Sequence, residues 1–239
     1  MSLKESSEYM EPIISVKDVE RVFGKGDRKV QVLSGIDMTI PPHSLTALKG
    51  RSGSGKTTLL NLIAGLDKPT KGEIYFRNSL INDYTEKQSS EFRRTNIGII
   101  FQSFGLVPLM TVEENIEFGL RISGVSKEDW KDRIRDSIEL VGLTKRAKHR
   151  PYELSGGEQQ RVAIARAIAP KPSLILADEP TAELDSKMAF HIINAFKELT
   201  SNKKTTIIMT THDPGILEIL DHVYTLEDGQ IENETQEIF

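Results

Sequence analysis

The sequence contains no cysteine and only one tryptophan among its 239 residues. Without cysteine the chain can form no disulfide, no thiolate nucleophile and no cysteine-ligated metal site. The absence fits a cytoplasmic protein, because structural disulfides accumulate in proteins of oxidising compartments.

Long apolar runs are also missing. No segment reaches the roughly 18–20 consecutive apolar residues that a membrane-spanning helix needs. The most apolar stretches, IGIIFQSFGLVPLM and SLILADEP, are interrupted by Gln102, Ser103 and Asp178. The opening MSLKESSEYMEP carries acids and lacks an apolar centre, so we expect no signal peptide. Work at a membrane would therefore require a partner.

A strong charge of one sign is absent as well. The formal net charge is −4, which gives no reason to expect nucleic acid as a partner. Hydrophobic residues make up 38% and charged residues 28% of the chain, as in an ordinary globular protein. The length suits one large domain or two small ones with a substantial core.

What the sequence does contain is an alternation of strand-like and helix-like segments at both ends of the chain. This alternation predicts an α/β fold with a parallel sheet. Two strand-like segments, 15–22 and 31–40, flank the turn-rich GKGDRK and predict β structure near the N-terminus. The charged, helix-like middle, about 103–165, is expected to be an insertion into the core. We expect the final ENETQEIF to be a solvated tail.

A glycine-rich segment, GRSGSGKT, matches the phosphate-loop pattern G-x-x-x-x-G-K-[ST] between a short strand and a helix. Its glycines permit a tight loop whose N–H groups surround phosphates. Lys56 is expected to reach the β- and γ-phosphates, and Thr57 to offer its hydroxyl to Mg²⁺. The predicted ATP-binding residues of this segment are Gly50, Arg51, Ser52, Gly53, Ser54, Gly55, Lys56, Thr57 and Thr58.

Two acids follow the apolar segment LILA, which is typical of a strand buried on both faces. A phosphate loop requires an acid to hold the metal, and Asp178 at the strand end is placed for that role. Glu179 comes next, and its carboxylate could orient or deprotonate the attacking water. The alternative is that one of these acids merely caps the following turn.

A second phosphate-binding signal occurs about a hundred residues after the first. In LSGGEQQR, Ser155, Gly156 and Gly157 precede a helix predicted to run from Glu158. A helix N-terminus offers unpaired N–H groups and the positive end of the helix dipole to an anion. The chain thus carries two phosphate-binding segments but one pair of catalytic acids.

Taken together, GRSGSGKT, FQSF, LSGGEQQR, LILADEP, ELDS and TTHD occur in an order that resembles the nucleotide-binding domain of ABC transporters. The resemblance covers residues 12–235. It implies a P-loop NTPase with a RecA-like parallel-sheet core, an N-terminal antiparallel β subdomain and an inserted α-helical subdomain. The implied boundaries are 12–102 and 166–235 for the core with its β subdomain and 103–165 for the helical subdomain, with 1–11 and 236–239 as terminal extensions.

The resemblance also implies roles for single residues. The catalytic set is Glu179 as general base, His212 as the γ-phosphate contact, Gln102 as the sensor of Mg²⁺ or water, and Lys56. The metal set is Thr57, Gln102 and Asp178. Phe23 is expected to stack on adenine, with Val30 on the same face. The residues expected to meet ATP held by a second copy are Ser155, Gly156, Gly157, Glu158 and Asp185. Arg51 stands where relatives usually carry a small residue or proline.

The implied partners are a second copy of the chain, in an ATP-dependent head-to-tail dimer, and an integral membrane permease. The chain would then lie in the cytoplasm on the inner face of the cell membrane. Five apolar residues are expected to contact the permease: Phe104, Leu106, Val107, Leu109 and Met110.

Several stretches resemble the ATPases of macrolide export, lipoprotein release and bacitracin-type efflux. Amino-acid importers and the cell-division ABC complex remain alternatives. A soluble ABC protein of translation or DNA repair is disfavoured by the single phosphate loop and the lack of a heptad run. A catalytically silent binder is disfavoured by the presence of Lys56, Asp178, Glu179 and His212.

Overall fold

The computed structural model describes residues 11–203 and 205–236. The strands of this part of the chain are β1 Ile14–Phe23, β2 Val30–Ile40, β3 Leu45–Lys49, β4 Lys71–Phe76, β5 Ser79–Leu80, β6 Ile97–Ile100, β7 Leu174–Ala177, β8 Thr206–Thr210, β9 His222–Glu227 and β10 Gln230–Gln236. Its α-helices are α1 Lys56–Ile63, α2 Glu86–Asn96, α3 Val112–Ile122, α4 Lys127–Leu140, α5 Gly156–Ile168, α6 Ser186–Lys203 and α7 Pro214–Leu217.

The first sheet is antiparallel and has the strand order β2-β1-β4-β5. Strand β1 lies between β2 and β4: Ile14 pairs with Ile40 of β2 on one side and with Phe76 of β4 on the other. The alternation of buried and exposed residues in β2 and β4 fits a sheet with one face on the core. The N-terminal segments predict this β structure, and the resemblance implies that it is antiparallel.

The second sheet has the order β10-β9-β3-β8-β7-β6, and all its pairings are parallel except that of β10 with β9. Strands β7 and β8 are buried along their whole length, because helices cover both faces of a parallel sheet. The carboxyl ends of β3, β7 and β8 are adjacent, so the loops after them meet at one edge. The predicted α/β fold with a parallel core is confirmed.

The chain end is exposed from 232 to 235, as a solvated tail would be, but it is a strand. The segment expected to be a solvated tail forms most of β10, which pairs with β9 from Gln230↔Glu227 to Gln236↔His222. The intervening Asp228 and Gly229 have φ values of 44° and 77°, the conformation of a tight hairpin turn. In the sequence, the Asp-Gly pair is the signal that predicts this hairpin turn. The predicted extensions 1–11 and 236–239 lie outside the described residues except for Glu11 and Gln236.

Helices α3, α4 and α5 pack together between β6 and β7 in the chain, where the sequence predicts a helical insertion. The helix predicted to start at Glu158 begins at Gly156 instead. Ser155 forms a reciprocal capping box with Glu158, which places the start of the helix two residues earlier. Within residues 11–203 and 205–236, no helix is long and apolar enough to cross a membrane.

Candidate functional site

The phosphate loop connects β3 to α1, and two of its glycines are required by close approach of the backbone. A Cβ at Gly50 would lie 2.1 Å from the carbonyl oxygen of Leu226. A Cβ at Gly55 would lie 2.6 Å from the Leu33 side chain, and Gly55 has a φ of 105°. These residues let the loop fold tightly against β2 and β9.

Lys56, the first residue of α1, spans the loop. Its Nζ donates hydrogen bonds of 2.8 Å to the carbonyl oxygens of Gly50 and Arg51. The ammonium group is therefore held over the loop, where a mobile cation can meet an anion.

Thr57 and Asp178 bring the loop and the end of β7 together. The Thr57 hydroxyl donates a 2.8 Å hydrogen bond to Oδ2 of Asp178. A hydroxyl and a carboxylate side by side supply the oxygen donors that Mg²⁺ prefers, and Mg²⁺ usually needs few protein ligands because water and phosphate complete its shell. The residues present fit this metal.

Thr210, the last residue of β8, is a member of the site that the sequence reading missed. Its hydroxyl donates 2.8 Å to Oδ1 of Asp178 and accepts 2.8 Å from the backbone N–H of Glu179. It is fully buried. Thr210 thus orients both acids, and its position could be recognised only once β8 was known to pair with β7.

Glu179 follows β7 with a φ of 47°, in the left-handed region that non-glycine residues seldom occupy. Such conformations cluster at functional sites, where the surrounding contacts hold them in place. The Nδ1 atom of His212, which follows β8, lies 3.8 Å from Oε1 of Glu179. The structure therefore brings together the predicted base and the predicted phosphate-contacting histidine.

A cleft of about 380 Å³ lies above the phosphate loop. Its lining consists of Val32, Ser52, Gly53, Gly55, Lys56, Thr57, Thr58, Gln102, Asp178 and Glu179. Gly50 and Ser54 lie outside the lining, and the Ser54 side chain is buried. Arg51 also lies outside it and is exposed. Val32, which the sequence reading did not single out, is the residue of β2 that borders the cleft.

Phe23 and Val30 lie at the end of the β1–β2 pair, where they are cross-strand partners. They are 40% and 60% exposed. Neither lines the cleft above the phosphate loop.

The second predicted phosphate-binding segment lies elsewhere: none of the residues from 155 to 158 lines that cleft. It packs against the loop before α6, since a Cβ at Gly157 would lie 2.7 Å from the carbonyl oxygen of Glu183. Asp185 starts α6 by accepting a 3.0 Å hydrogen bond from the N–H of Met188. The residues expected to act on a second copy's ATP are thus brought together, away from the chain's own loop.

The carboxylate of Glu158 completes the cap of α5. It accepts a 2.8 Å hydrogen bond from the N–H of Ser155 and pairs with Nε of Arg146 at 3.0 Å. The bond from the Ser155 backbone is the main cause that holds the pKa of Glu158 below its ordinary value. The cap therefore stabilises the helix above the ordinary glutamate pKa and is lost as pH falls through the lowered value.

Gln160 is a further missed residue, and it joins the two segments. Its side chain is buried and Nε2 donates a 3.2 Å hydrogen bond to the carbonyl oxygen of Pro180, which follows Glu179. Helix α5 is therefore fixed to the loop that carries the predicted base. Only the folded arrangement reveals this contact.

A groove of about 420 Å³ lies between α2, β6, α3 and α5, and three exposed apolar residues, Phe101, Phe118 and Ile122, line it with three arginines. The arginines are Arg93, Arg94 and Arg166. None of the five apolar residues predicted to contact the permease is among the lining residues. Leu106 packs against the core instead, whereas Leu109 is 81% exposed.

The chain is similar to one known protein family and to several known proteins. Residues 33–182 match the family described as ABC transporter. An uncharacterized ABC transporter ATP-binding protein of Mycobacterium tuberculosis is 42% identical over 92% of this chain and 89% of its own length. The lipoprotein-releasing system ATP-binding protein LolD of Psychrobacter arcticus is 40% identical over 94% of this chain and all of its own length.

A solved structure is also similar. It shows an ATP-binding cassette of Methanocaldococcus jannaschii in a dimeric post-hydrolysis state, bound to ADP and Pi. The TM-score is 0.89 at 37% identity, over 95% of this chain and 100% of that one.

Proposed function

Because the chain belongs to the ABC transporter family, we propose that it is an ATP-hydrolysing subunit that dimerises on ATP and drives a separate membrane subunit. One observation carries the proposal. The predicted catalytic groups surround the phosphate loop, whereas the second phosphate-binding segment lies apart from that cleft on the same chain. A complete site then requires two chains.

In this proposal the phosphate loop binds the triphosphate through its backbone N–H groups and through Lys56, which exchanges its loop carbonyls for phosphate oxygens. Thr57 and Asp178, with Gln102 in the same cleft, would hold Mg²⁺. The metal would neutralise charge on the phosphates and thereby favour attack on phosphorus. Phe23 would stack on adenine.

Glu179 accepts a proton from water, whose oxygen attacks the γ-phosphorus as the bond to the ADP oxygen breaks. The N–H of Glu179 is fixed by Thr210, and His212 lies beside its carboxylate. The products are ADP and phosphate. Positioning and charge stabilisation supply most of the rate enhancement in phosphoryl transfer.

Two copies related head to tail would place Ser155, Gly156 and Gly157 of each over the γ-phosphate held by the other. The N-terminus of α5 offers N–H groups and a positive dipole end to that phosphate. ATP then stabilises the closed dimer. Hydrolysis followed by release of the phosphate removes the bridging charge and opens the dimer, which makes it a ligand-driven switch. The dimeric state of the similar cassette supports this arrangement.

The membrane partner is proposed to contact the groove between α2, β6, α3 and α5. Its exposed Phe101, Phe118 and Ile122 suit the apolar face of an amphipathic helix. The chain would then lie on the inner face of the cell membrane through this permease.

The work performed is proposed to be export or extraction of a peptide, an antibiotic or a lipoprotein-like substrate, which the similarity to LolD supports. An amino-acid importer or a cell-division complex is the alternative.

ATPase activity tests the catalytic part of the proposal. The Glu179→Gln variant keeps the size of the side chain but cannot accept a proton, so we expect kcat to fall by about 10²-fold or more. Glu139→Gln is the matched control, since this exposed acid on α4 does not line the cleft. Equal activity of Glu179→Gln and the wild type in a phosphate-release assay would contradict the proposal.

A further inference from the structure

One face of the Phe23 ring is covered by a charged side chain. The guanidinium carbon of Arg21 lies over the ring, 4.3 Å from its centroid. The ring is nevertheless 40% exposed, so part of it remains open to solvent. A cation over one face of an aromatic ring is attracted by the ring's negative π-cloud.

Arg21 is itself fixed. Its Nη2 contacts both carboxylate oxygens of Asp67, at 2.8 Å and 2.7 Å. The two side chains are only 21% and 33% exposed, so water screens this pair less than an ordinary surface ion pair. The guanidinium therefore has little freedom to leave the ring.

The segment that supplies Asp67 also joins the end of β1 to the phosphate-loop helix. The segment follows α1. The hydroxyl of Thr70 accepts a 2.9 Å hydrogen bond from the N–H of Val22. The N–H of Thr70 donates to the carbonyl oxygen of Glu20. Arg21 is thus held by the same segment that ends the helix of the phosphate loop.

The ring stands within reach of a nucleotide bound by that loop. Phe23 pairs with Val30, and Val32 on the same strand lines the cleft. Val30 and Val32 are about 7 Å apart along the strand, so a nucleotide that extends from the cleft along β2 would bring its base to the ring.

We propose that Arg21 and Asp67 are positioning residues that hold Phe23 as a preorganised platform for the base of the nucleotide. Arg21 occupies one face of the ring, fixes its orientation and leaves the other face for an aromatic base. A ring already held in its bound orientation loses less entropy when the base stacks on it. The inference rests on the proposed function, because it deepens the adenine contact expected of Phe23.

The test compares ADP, which has a base, with inorganic pyrophosphate, which has none, by isothermal titration calorimetry of the full chain with Mg²⁺. We expect Arg21→Gln to weaken ADP binding about threefold to tenfold and to leave pyrophosphate binding unchanged. Arg21→Lys keeps the cation and should recover part of the loss. Asp67→Asn should weaken ADP in the same direction.

Two controls separate positioning from a general loss of structure. In a Phe23→Ala background, Arg21→Gln should have no further effect on ADP, because Arg21 acts through the ring. Arg121→Gln removes a comparable arginine, which pairs with Glu117 and lies over the Trp130 ring, and it should leave the affinities for both ligands unchanged.

The proposal is overturned if Arg21→Gln leaves ADP affinity unchanged or raises it, or if ADP and pyrophosphate lose affinity equally. Suppose Arg21→Gln gives one of these results, while Phe23→Ala weakens the binding of ADP but not that of pyrophosphate. In that case only the positioning role of Arg21 fails. If Phe23→Ala leaves the ratio of the two affinities unchanged, Phe23 is not the base platform, and that part of the proposed function fails as well.

Discussion

At the scale of single residues, the site depends on groups that orient the two acids after β7. Asp178 is held from two sides, by the hydroxyl of Thr57 from the phosphate loop and by that of Thr210 from β8. Glu179 has its N–H bound by Thr210 and its φ in the left-handed region. The acids are therefore fixed by the neighbouring elements as well as by their own strand.

Replacement of Thr210 tests this orientation. Thr210→Val keeps the shape but leaves a buried N–H and a carboxylate oxygen without their partner, so we expect the free energy of unfolding to fall by about 1–3 kcal/mol. The ATPase rate should fall as well. Urea unfolding and phosphate release measure the two effects.

Thr210→Ser is the matched control, because it retains the hydroxyl that makes both hydrogen bonds. It should keep most of the activity and lose only the packing of one methyl group, about 1 kcal/mol. If the valine variant matched the wild type in both assays, the orienting role of Thr210 would be refuted.

The two acids could be predicted from the sequence, whereas the residues around them that complete the site could not. Asp178 and Glu179 stand out because an apolar strand ends in two adjacent carboxylates. Thr210, Val32 and Gln160 gain their roles from strand order and helix packing, which no local pattern encodes. Phe23 could be named by resemblance, but its contact with Arg21 depends on the conformation of β1.

At the scale of elements, the two glycines before Glu158 differ although the sequence presents them as a pair. Both lie in the first turn of α5. A Cβ at Gly156 would meet only the flexible carboxylate of Glu183, at 3.4 Å, whereas one at Gly157 would lie 2.7 Å from the Glu183 backbone oxygen. Only the second glycine is required by packing within the chain.

Alanine substitutions at Gly156 and Gly157 distinguish the glycine that packing requires from the one that it does not. Gly157→Ala should lower the free energy of unfolding by about 1–3 kcal/mol, because a backbone contact must shift to admit the new methyl group. Gly156→Ala should be neutral or stabilising by up to about 1 kcal/mol, because alanine favours a helix over glycine. Thermal or urea unfolding of the two variants measures the difference, and equal stabilities would contradict the packing argument.

Two segments differ from their predicted form: α5 starts two residues earlier, and the chain end is a strand. Ser155 and Glu158 have the spacing of a capping box, which places the helix start at Gly156. Asp228 and Gly229 form the turn of a hairpin, so the acidic segment after them is a strand. At α5 the capping box determines where the helix starts, and at the chain end the pairing with β9 makes the acidic segment a strand.

At the scale of the whole molecule, the two predicted phosphate-binding segments lie on separate surfaces of the chain. The cleft over the phosphate loop contains the acids but no residue of the segment from 155 to 158. That segment is fixed to the loop after Glu179 through Gln160 and packs on Glu183. Gln160 and Gly157 therefore connect the segment from 155 to 158 to the loop that carries Glu179 within one chain.

The central claim is that each ATP is held between two copies of the chain, and size-exclusion chromatography of the Glu179→Gln variant with ATP and Mg²⁺ tests it most directly. We expect a dimer with ATP and a monomer with ADP. Adding Ser155→Arg should abolish the dimer and leave ATP binding to the single chain intact, whereas Ser126→Arg, at the exposed N-terminus of α4, should not. A dimer that persists with Ser155→Arg, or no ATP-dependent dimer at all, would contradict the account.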